Sequence, residues 1–368
     1  MTKLQDLFND FGQSPWIDNI RRDWLNDGTL ADLVAQGVRG VTSNPSIFAK
    51  ALATSTAYDA VVANSTTSDA EALFEELAVA DVRDACDVLS HVYQASVADM
   101  ASGRRRYRDG FVSLEVSPRL AHDTNGTVEA AARLHEAVSR ENVMIKIPAT
   151  DEGLAAISET LSRGINVNVT LIFSIERYAQ VLDAWLAGLE RARHDGLDLS
   201  SIASVASFFV SRVDSAVDAQ LSEGDPRRGR SANAQVAAAY ELYQRRVNDE
   251  RTAELLREGA QVQRPLWAST SVKNLEYDEL LYVNTLVADE SVNTMPDATL
   301  RAVLDHGDFS ASMLTRAASL HSLARELGQL APDVSLAGVT SKLEHDGVQA
   351  FVDAYEELLA TVAQKMRS

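Results

Sequence analysis

Short apolar runs alternate along this chain with longer stretches in which apolar residues recur at helical spacing. The runs lie at 14–18, 38–42, 111–116, 143–148, 165–173, 202–209, 265–270 and, more weakly, 285–288. Helical periodicity fills the intervals. It covers 3–11, 23–36, most of 46–106 (longest over 68–101), 127–140, a segment from Leu154 ended by Gly164, 175–193, 212–221 and 232–258. Within the long interval Phe74, Leu77, Ala85, Val88 and Val92 keep to one face. Strand and helix in strict alternation imply parallel strands joined by right-handed crossovers. Eight such units favour a closed barrel over an open doubly wound sheet. The expected architecture is α/β, a single (β/α)8 TIM barrel with additional helices at the termini and between strands 2 and 3. Near the end, Val348, Phe351, Val352, Tyr355, Leu358, Leu359 and Val362 form one stripe. That stripe predicts a C-terminal helix over about 346–366 packed on the barrel. With no Pro/Gly/Ser-rich linker in between, residues 1–368 read as one domain.

One run departs from the pattern. Val143-Met144-Ile145-Lys146-Ile147-Pro148 has the composition of a strand hidden on both faces, yet it carries a lysine. Burial disfavours an ammonium, and a desolvated lysine is a source of free amine for Schiff-base chemistry. The same lysine could instead be held by a carboxylate at a barrel rim, and the stretch alone leaves both readings open.

In a barrel the functional residues sit at the C-terminal ends of the strands. Here those ends carry Asp18, Thr42 to Asn44, Glu115, Lys146, Asn168 with Thr170, Ser207 and Ser269. Asn168 and Thr170, two apart on a strand, share a face, and an inward Asn beside an inward Thr needs polar partners. Glu115 beside Lys146 could be a buried ion pair, and Asp18 could cap the helix after its strand. Arg104-Arg105-Arg106 reads as a solvated helix end, and Arg227, Arg228 and Arg230 as a solvated loop.

Charge and composition narrow the partners. A formal net charge of −19 over 368 residues opposes nucleic acid and anionic membranes at long range, though local cations can still bind a phosphorylated metabolite. The only cysteine, Cys86, has no disulfide partner. The seven histidines form no ligand-spaced cluster, so no metal is expected. No Gly-x-Gly-x-x-Gly follows the first strand, which weakens a dinucleotide reading. No apolar leader or spanning segment stands out, and a cytoplasmic location follows as an expectation.

Together, Val41-Thr42-Ser43-Asn44-Pro45-Ser46, Leu114-Glu115-Val116, Ile145-Lys146-Ile147-Pro148-Ala149-Thr150 and residues Gly164 to Ser174 resemble the transaldolase family. The resemblance runs from Asp18 to about Asn274. It implies a class I, cofactor-free transfer of a dihydroxyacetone unit from sedoheptulose 7-phosphate to glyceraldehyde 3-phosphate, giving erythrose 4-phosphate and fructose 6-phosphate. By the same resemblance Lys146 forms the Schiff base, and Asp18 moves the C4 hydroxyl proton. Glu115, with Thr170 and a water, serves carbinolamine chemistry. Asn44, Asn168 and Ser207 would hold hydroxyls, and Arg212 the sugar phosphate. The family's second arginine falls in Ala268-Ser269-Thr270-Ser271-Val272-Lys273-Asn274, so that Ser269 and Lys273 take its place. Phosphorylated ketoses and aldoses are the expected partners, and a monomer and a homodimer are both compatible. Two rivals remain: a fructose 6-phosphate aldolase, and a sugar-phosphate-binding barrel without turnover.

Overall fold

In the computed structural model, which describes residues 1–310, 312, 317–329 and 334–367, eight strands close into an all-parallel barrel in sequential order. They are β1 (Ser14–Asp18), β2 (Val41–Thr42), β3 (Val112–Glu115), β4 (Val143–Pro148), β5 (Val167–Ile172), β6 (Ser204–Phe209), β7 (Arg264–Ala268) and β8 (Val292–Met295). The expected (β/α)8 TIM barrel is the fold. Four additional helices separate β2 from β3: Pro45–Thr54, Asp59–Asn64, Ala70–Val88 and Ser90–Ala101.

Three expectations need correction. The last strand is not 285–288, which follows the short helix Leu281–Asn284, but β8, a little further on. β8 hides because the charged pair Asp289-Glu290 precedes it and Asn293 and Thr294 interrupt its apolar character; both are buried. Thr270 Oγ1 donates to Asn293 Oδ1 (2.9 Å), so hydrogen bonds do there what an apolar face does in other strands. Next, residues 23–36 form two helices, Arg22–Asn26 and Thr29–Ala35, broken at Gly28, whose φ of 85° is in the left-handed region. Finally, the arginine triplet is a solvated helix end only at Arg104, which is exposed and pairs with Asp99 of the preceding helix. Arg105 and Arg106 reach across to Asp289 and Glu290, Arg106 with two bonds of 2.8 and 2.5 Å, and tie the approach to β3 to the approach to β8.

The barrel interior is apolar in the middle, with Trp16, Met144, Val205, Leu266 and Val292 packed together, while a larger apolar shell joins strands to helices. Trp16 fits only because residue 40 is glycine: a Cβ there would lie 2.3 Å from the indole. Beneath it, buried Asp109 accepts from Trp16 Nε1 (2.9 Å), Ser14 Oγ (2.5 Å) and Arg39 Nε (2.8 Å). Arg264, 1% exposed, lies 3.5 Å from the same carboxylate and stacks 3.8 Å over the Tyr107 ring. Burial pushes the Asp109 carboxyl up, but Arg264 and Arg39 outweigh it and hold the group below its ordinary value. This cluster closes the end of the barrel opposite the C-terminal ends of the strands.

The last helix, Leu336–Lys365, starts earlier than its stripe suggested and lies across Pro45–Thr54 and Ala70–Val88. Gly347 lets it come close: a Cβ there would sit 3.2 Å from Leu171 and 3.4 Å from Phe173.

Asp109→Ala strands the buried Arg264 guanidinium and the partly exposed one of Arg39, and should cost about 3–5 kcal/mol in urea unfolding. A loss below ~1 kcal/mol would show that the cluster is dispensable.

Candidate active site

Register places the central side chains. Glu115 pairs with Lys146, Lys146 with Asn168, and Asp18 with Thr42, so neighbouring strands deliver these groups at one level. Lys146 Nζ, almost completely buried, donates to the Ser43 carbonyl (3.0 Å) and lies 3.3 Å from Glu115 Oε2. Phe351, from the last helix, places its ring 5.6 Å from the ammonium. Ser43 is itself pinned, its hydroxyl donating to the Ser113 carbonyl (2.7 Å). The next two residues start the helix Pro45–Thr54. Asn44 Oδ1 caps it by accepting from Ile47 N–H (3.0 Å), and Pro45 occupies a first-turn position where no N–H is needed.

Burial pushes the Glu115 carboxyl up to about 7, and the nearby Lys146 charge opposes that rise. Asp18 is also raised by burial, while Lys146 and a hydrogen bond from Thr42 Oγ1 (2.6 Å) work against it. Asp18 is no helix cap, since the next helix begins at Arg22 with Arg21 as its N-cap. Thr42 also shares a 2.7 Å hydrogen bond with Thr294 of β8. Glu115 Oε2 and Thr170 Oγ1 are both buried without a protein hydrogen-bond partner of good geometry. At the end of β5 the register shifts between Val169 and Ile172, and Leu171 adopts φ +60°. The bulge shifts the pairing around Thr170, and Ile172 pairs again with Phe208.

A cavity of 210 Å³ opens over these groups. Asp18, Asn44, Lys146, Thr170, Ser207, Arg212, Ser269 and Lys273 all line it, whereas Glu115 and Asn168 do not. Asn168 lies deeper, donating to Ser113 Oγ (2.9 Å) and accepting from Ser207 Oγ (2.7 Å). Glu115 stands behind the lysine. Thr294, Ser271 and Phe351 complete the wall. Sequence reasoning assigned them no role. Thr294 was hidden with its strand, and Phe351 read only as part of a packing stripe.

At the mouth, Arg212 lies 5.3 Å over the Phe209 ring, and among the described residues neither it nor Lys273 has a carboxylate partner. Burial lowers both basic groups from their ordinary values, and Arg212's charge lowers Lys273 further. Two cations that repel one another across a cavity form a site for an anion. The N–H of Ser211 is taken by the Ser269 carbonyl (3.1 Å), so the guanidinium carries more of this attraction than the helix end. Ser269 adopts φ +57°, and its hydroxyl meets that of Ser211 at 3.0 Å, fixing the loop that presents Lys273. A larger cavity of 790 Å³ contains Arg108, His135 and Asn166 but no lysine. Chemistry, not volume, selects the smaller one.

A family model described as transaldolase/fructose-6-phosphate aldolase matches residues 15–362. The chain belongs to that family. It is 49% identical to a transaldolase of Thermobifida fusca, over 99% of this chain and 98% of the relative. It is 47% identical to one of Mycolicibacterium smegmatis, over 95% and 93%, and 44% identical to transaldolase 2 of Streptomyces coelicolor, over 100% and 98%. Among the described residues no helix is long and apolar enough to cross a membrane, and no three metal-ligating side chains gather.

The geometry makes a direct prediction for Glu115. Its carboxyl band in difference infrared spectra should titrate near pH 7, well above an ordinary glutamate at about 4.3. Lys146→Met removes the charge that opposes the rise and should move the midpoint higher still. An ordinary midpoint in the parent would contradict the site's electrostatics.

Proposed function

We propose that the chain is a transaldolase that carries a dihydroxyacetone unit as an imine on Lys146. The observation behind this reading is a nearly buried lysine at the cavity floor, with a raised carboxyl 3.3 Å behind it and a second carboxylate in the same cavity. The neutral amine attacks C2 of sedoheptulose 7-phosphate. Glu115, through a water held with Thr170, protonates the departing hydroxyl, and a protonated imine remains. Neither Glu115 Oε2 nor Thr170 Oγ1 has a well-aligned protein hydrogen bond, and one water between them would serve both. Asp18 then takes the C4 hydroxyl proton and the C3–C4 bond breaks. Its electron pair moves into the imine, and erythrose 4-phosphate leaves. Glyceraldehyde 3-phosphate enters, the steps reverse, and fructose 6-phosphate is released. Each positioned proton transfer is worth ~10²–10⁴-fold.

The enamine must outlast the exchange of aldehydes, so its carbon must be shielded from acids. Phe209 and Phe351 supply apolar wall near the lysine. In this reading Asn44, Ser207 and, from below, Asn168 order the hydroxyls of the three-carbon unit. Arg212, Lys273 and Ser269 receive the phosphate. No cofactor takes part, residues 1–368 work as one catalytic domain, and the reaction runs in the cytoplasm.

Borohydride added with fructose 6-phosphate should leave a reduced three-carbon adduct on Lys146, located by peptide mass spectrometry. Lys146→Met should lose activity by about 10⁴-fold or more, the scale on which enzymes lose a covalent nucleophile. Turnover with Lys146 unmodified would sink the imine. Steady release of free dihydroxyacetone without an acceptor would indicate an aldolase instead. Sugar binding with neither adduct nor turnover would indicate a binding barrel.

For the phosphate end, Arg212→Ala should raise KM about ten- to a hundredfold, as for loss of a charge-assisted contact. Lys273→Ala should raise it only by about a few fold, because Lys273 is exposed and a point charge grips less well than a guanidinium fork. Equal effects, or none, in steady-state kinetics on phosphorylated donors would overturn this division.

A further inference from the structure

An imine cycle moves water as well as carbon. Amine, carbonyl and one proton give a protonated imine and one water, and hydrolysis consumes a water and returns the proton. Both events happen while a sugar phosphate fills the mouth between Arg212 and Lys273, so the direct way out is obstructed.

The structure has a further cavity, of 250 Å³, outside the barrel behind β3. Its floor is apolar, made by Phe74, Ala78, Leu114, Ala130 and Leu134. At its rim Arg119 bonds Glu71 at 2.9 Å and Arg133 pairs with Glu75, all four partly exposed to solvent. No residue lines both cavities. Glu115 lines the outer one, and its Oε2 lies 3.3 Å from Lys146 Nζ, which lines the inner one. The Ser117 hydroxyl, buried and without a well-aligned partner, also faces the outer cavity. It lies close to the Tyr355 hydroxyl, which donates to Glu71 (2.9 Å). Ser117, Tyr355 and Glu71 thus lead from this cavity to the surface, and Glu115 is the residue that both lines it and neighbours the lysine.

We propose that this outer cavity is the water port of the imine cycle, with Glu115 as its inner gate and Ser117 and Tyr355 as positioning residues along it. The inference rests on the imine reading above. Water freed at Lys146 passes Glu115 into the outer cavity and mixes with solvent at the charged rim, and the water for hydrolysis returns the same way. The gate is also the group that gives the departing oxygen its proton, so one carboxyl both makes the water and admits it to the port.

The test follows oxygen at C2. Fructose 6-phosphate carrying ¹⁸O at C2 is incubated with the enzyme in ordinary water without an acceptor. Loss of label is compared with the enzyme-free rate, and Lys146 is trapped with borohydride in parallel. The parent should lose label far faster than the background. Ala130→Leu projects into the outer cavity and narrows it without touching the inner one, so more of the freed water should return to the same carbon. Label loss should then fall about tenfold, while the amount of trapped Lys146 adduct stays within about twofold of the parent. Ala78→Leu, from the opposite helix, should act alike and serves if Ala130→Leu does not fold. Unchanged label loss in a folded, cavity-narrowed variant would overturn the port. So would a parent that traps on Lys146 yet retains its label. A parent with no Lys146 adduct would fail the imine reading itself.

Discussion

Everything at this site depends on how a buried ammonium and a buried carboxylate tolerate one another. Removing either charge from water costs several kcal/mol, and their attraction recovers that only with good geometry and added hydrogen bonds. Here the geometry is deliberately incomplete. Lys146 has one good bond, to a main-chain carbonyl, and Glu115 is near but poorly aligned. The Glu115 carboxyl accordingly rises to about 7, where it can hold or release a proton at little cost. A tighter ion pair would be more stable and chemically less useful.

Such a pair survives only if the strands that carry it cannot move. The parallel register fixes Glu115, Lys146 and Asn168 abreast, so a slip of one residue would turn all three out of the barrel. At the opposite end, Asp109 gathers Ser14, Trp16, Arg39 and Arg264 from around the wall. That cluster is bound more closely than the upper one, Asp109 accepting hydrogen bonds from three side chains. The same barrel thus holds one buried carboxylate enclosed by hydrogen bonds, and another left poorly aligned where substrate arrives.

The sequence disclosed the barrel because alternation of element types is a coarse signal that survives errors at element ends. Seven strands stood out from apolar runs. β8 did not, since Asn293 and Thr294 make its contacts through hydrogen bonds. Lys146 was legible for the opposite reason, as a charge inside an apolar run. Glu115 could be paired with it only as a guess, because the level of two strands is set by tertiary register and not by local pattern. What no local pattern carries is depth. Asn168 and Thr170 share a face, yet one is tied into the layer below and the other reaches the cavity. Of the arginine triplet only Arg104 was legible, because its partner Asp99 is local, whereas those of Arg105 and Arg106, Asp289 and Glu290, lie far along the chain.

The C-terminal helix shows how distant sequence enters the site. Gly347 lets the helix settle on Leu171 and Phe173, where the bulge of β5 shifts the pairing with β6. One turn on, Phe351 reaches the inner cavity beside Lys146, and another turn on, Tyr355 faces the outer one. Residues four apart lie above one another on a helix, so a single stripe serves both cavities. Its apolar member screens the lysine, while its hydroxyl member reaches a surface carboxylate. What reads in the sequence as one packing face is therefore divided by the barrel wall into two chemical environments, and the residue that stands in that wall is Glu115.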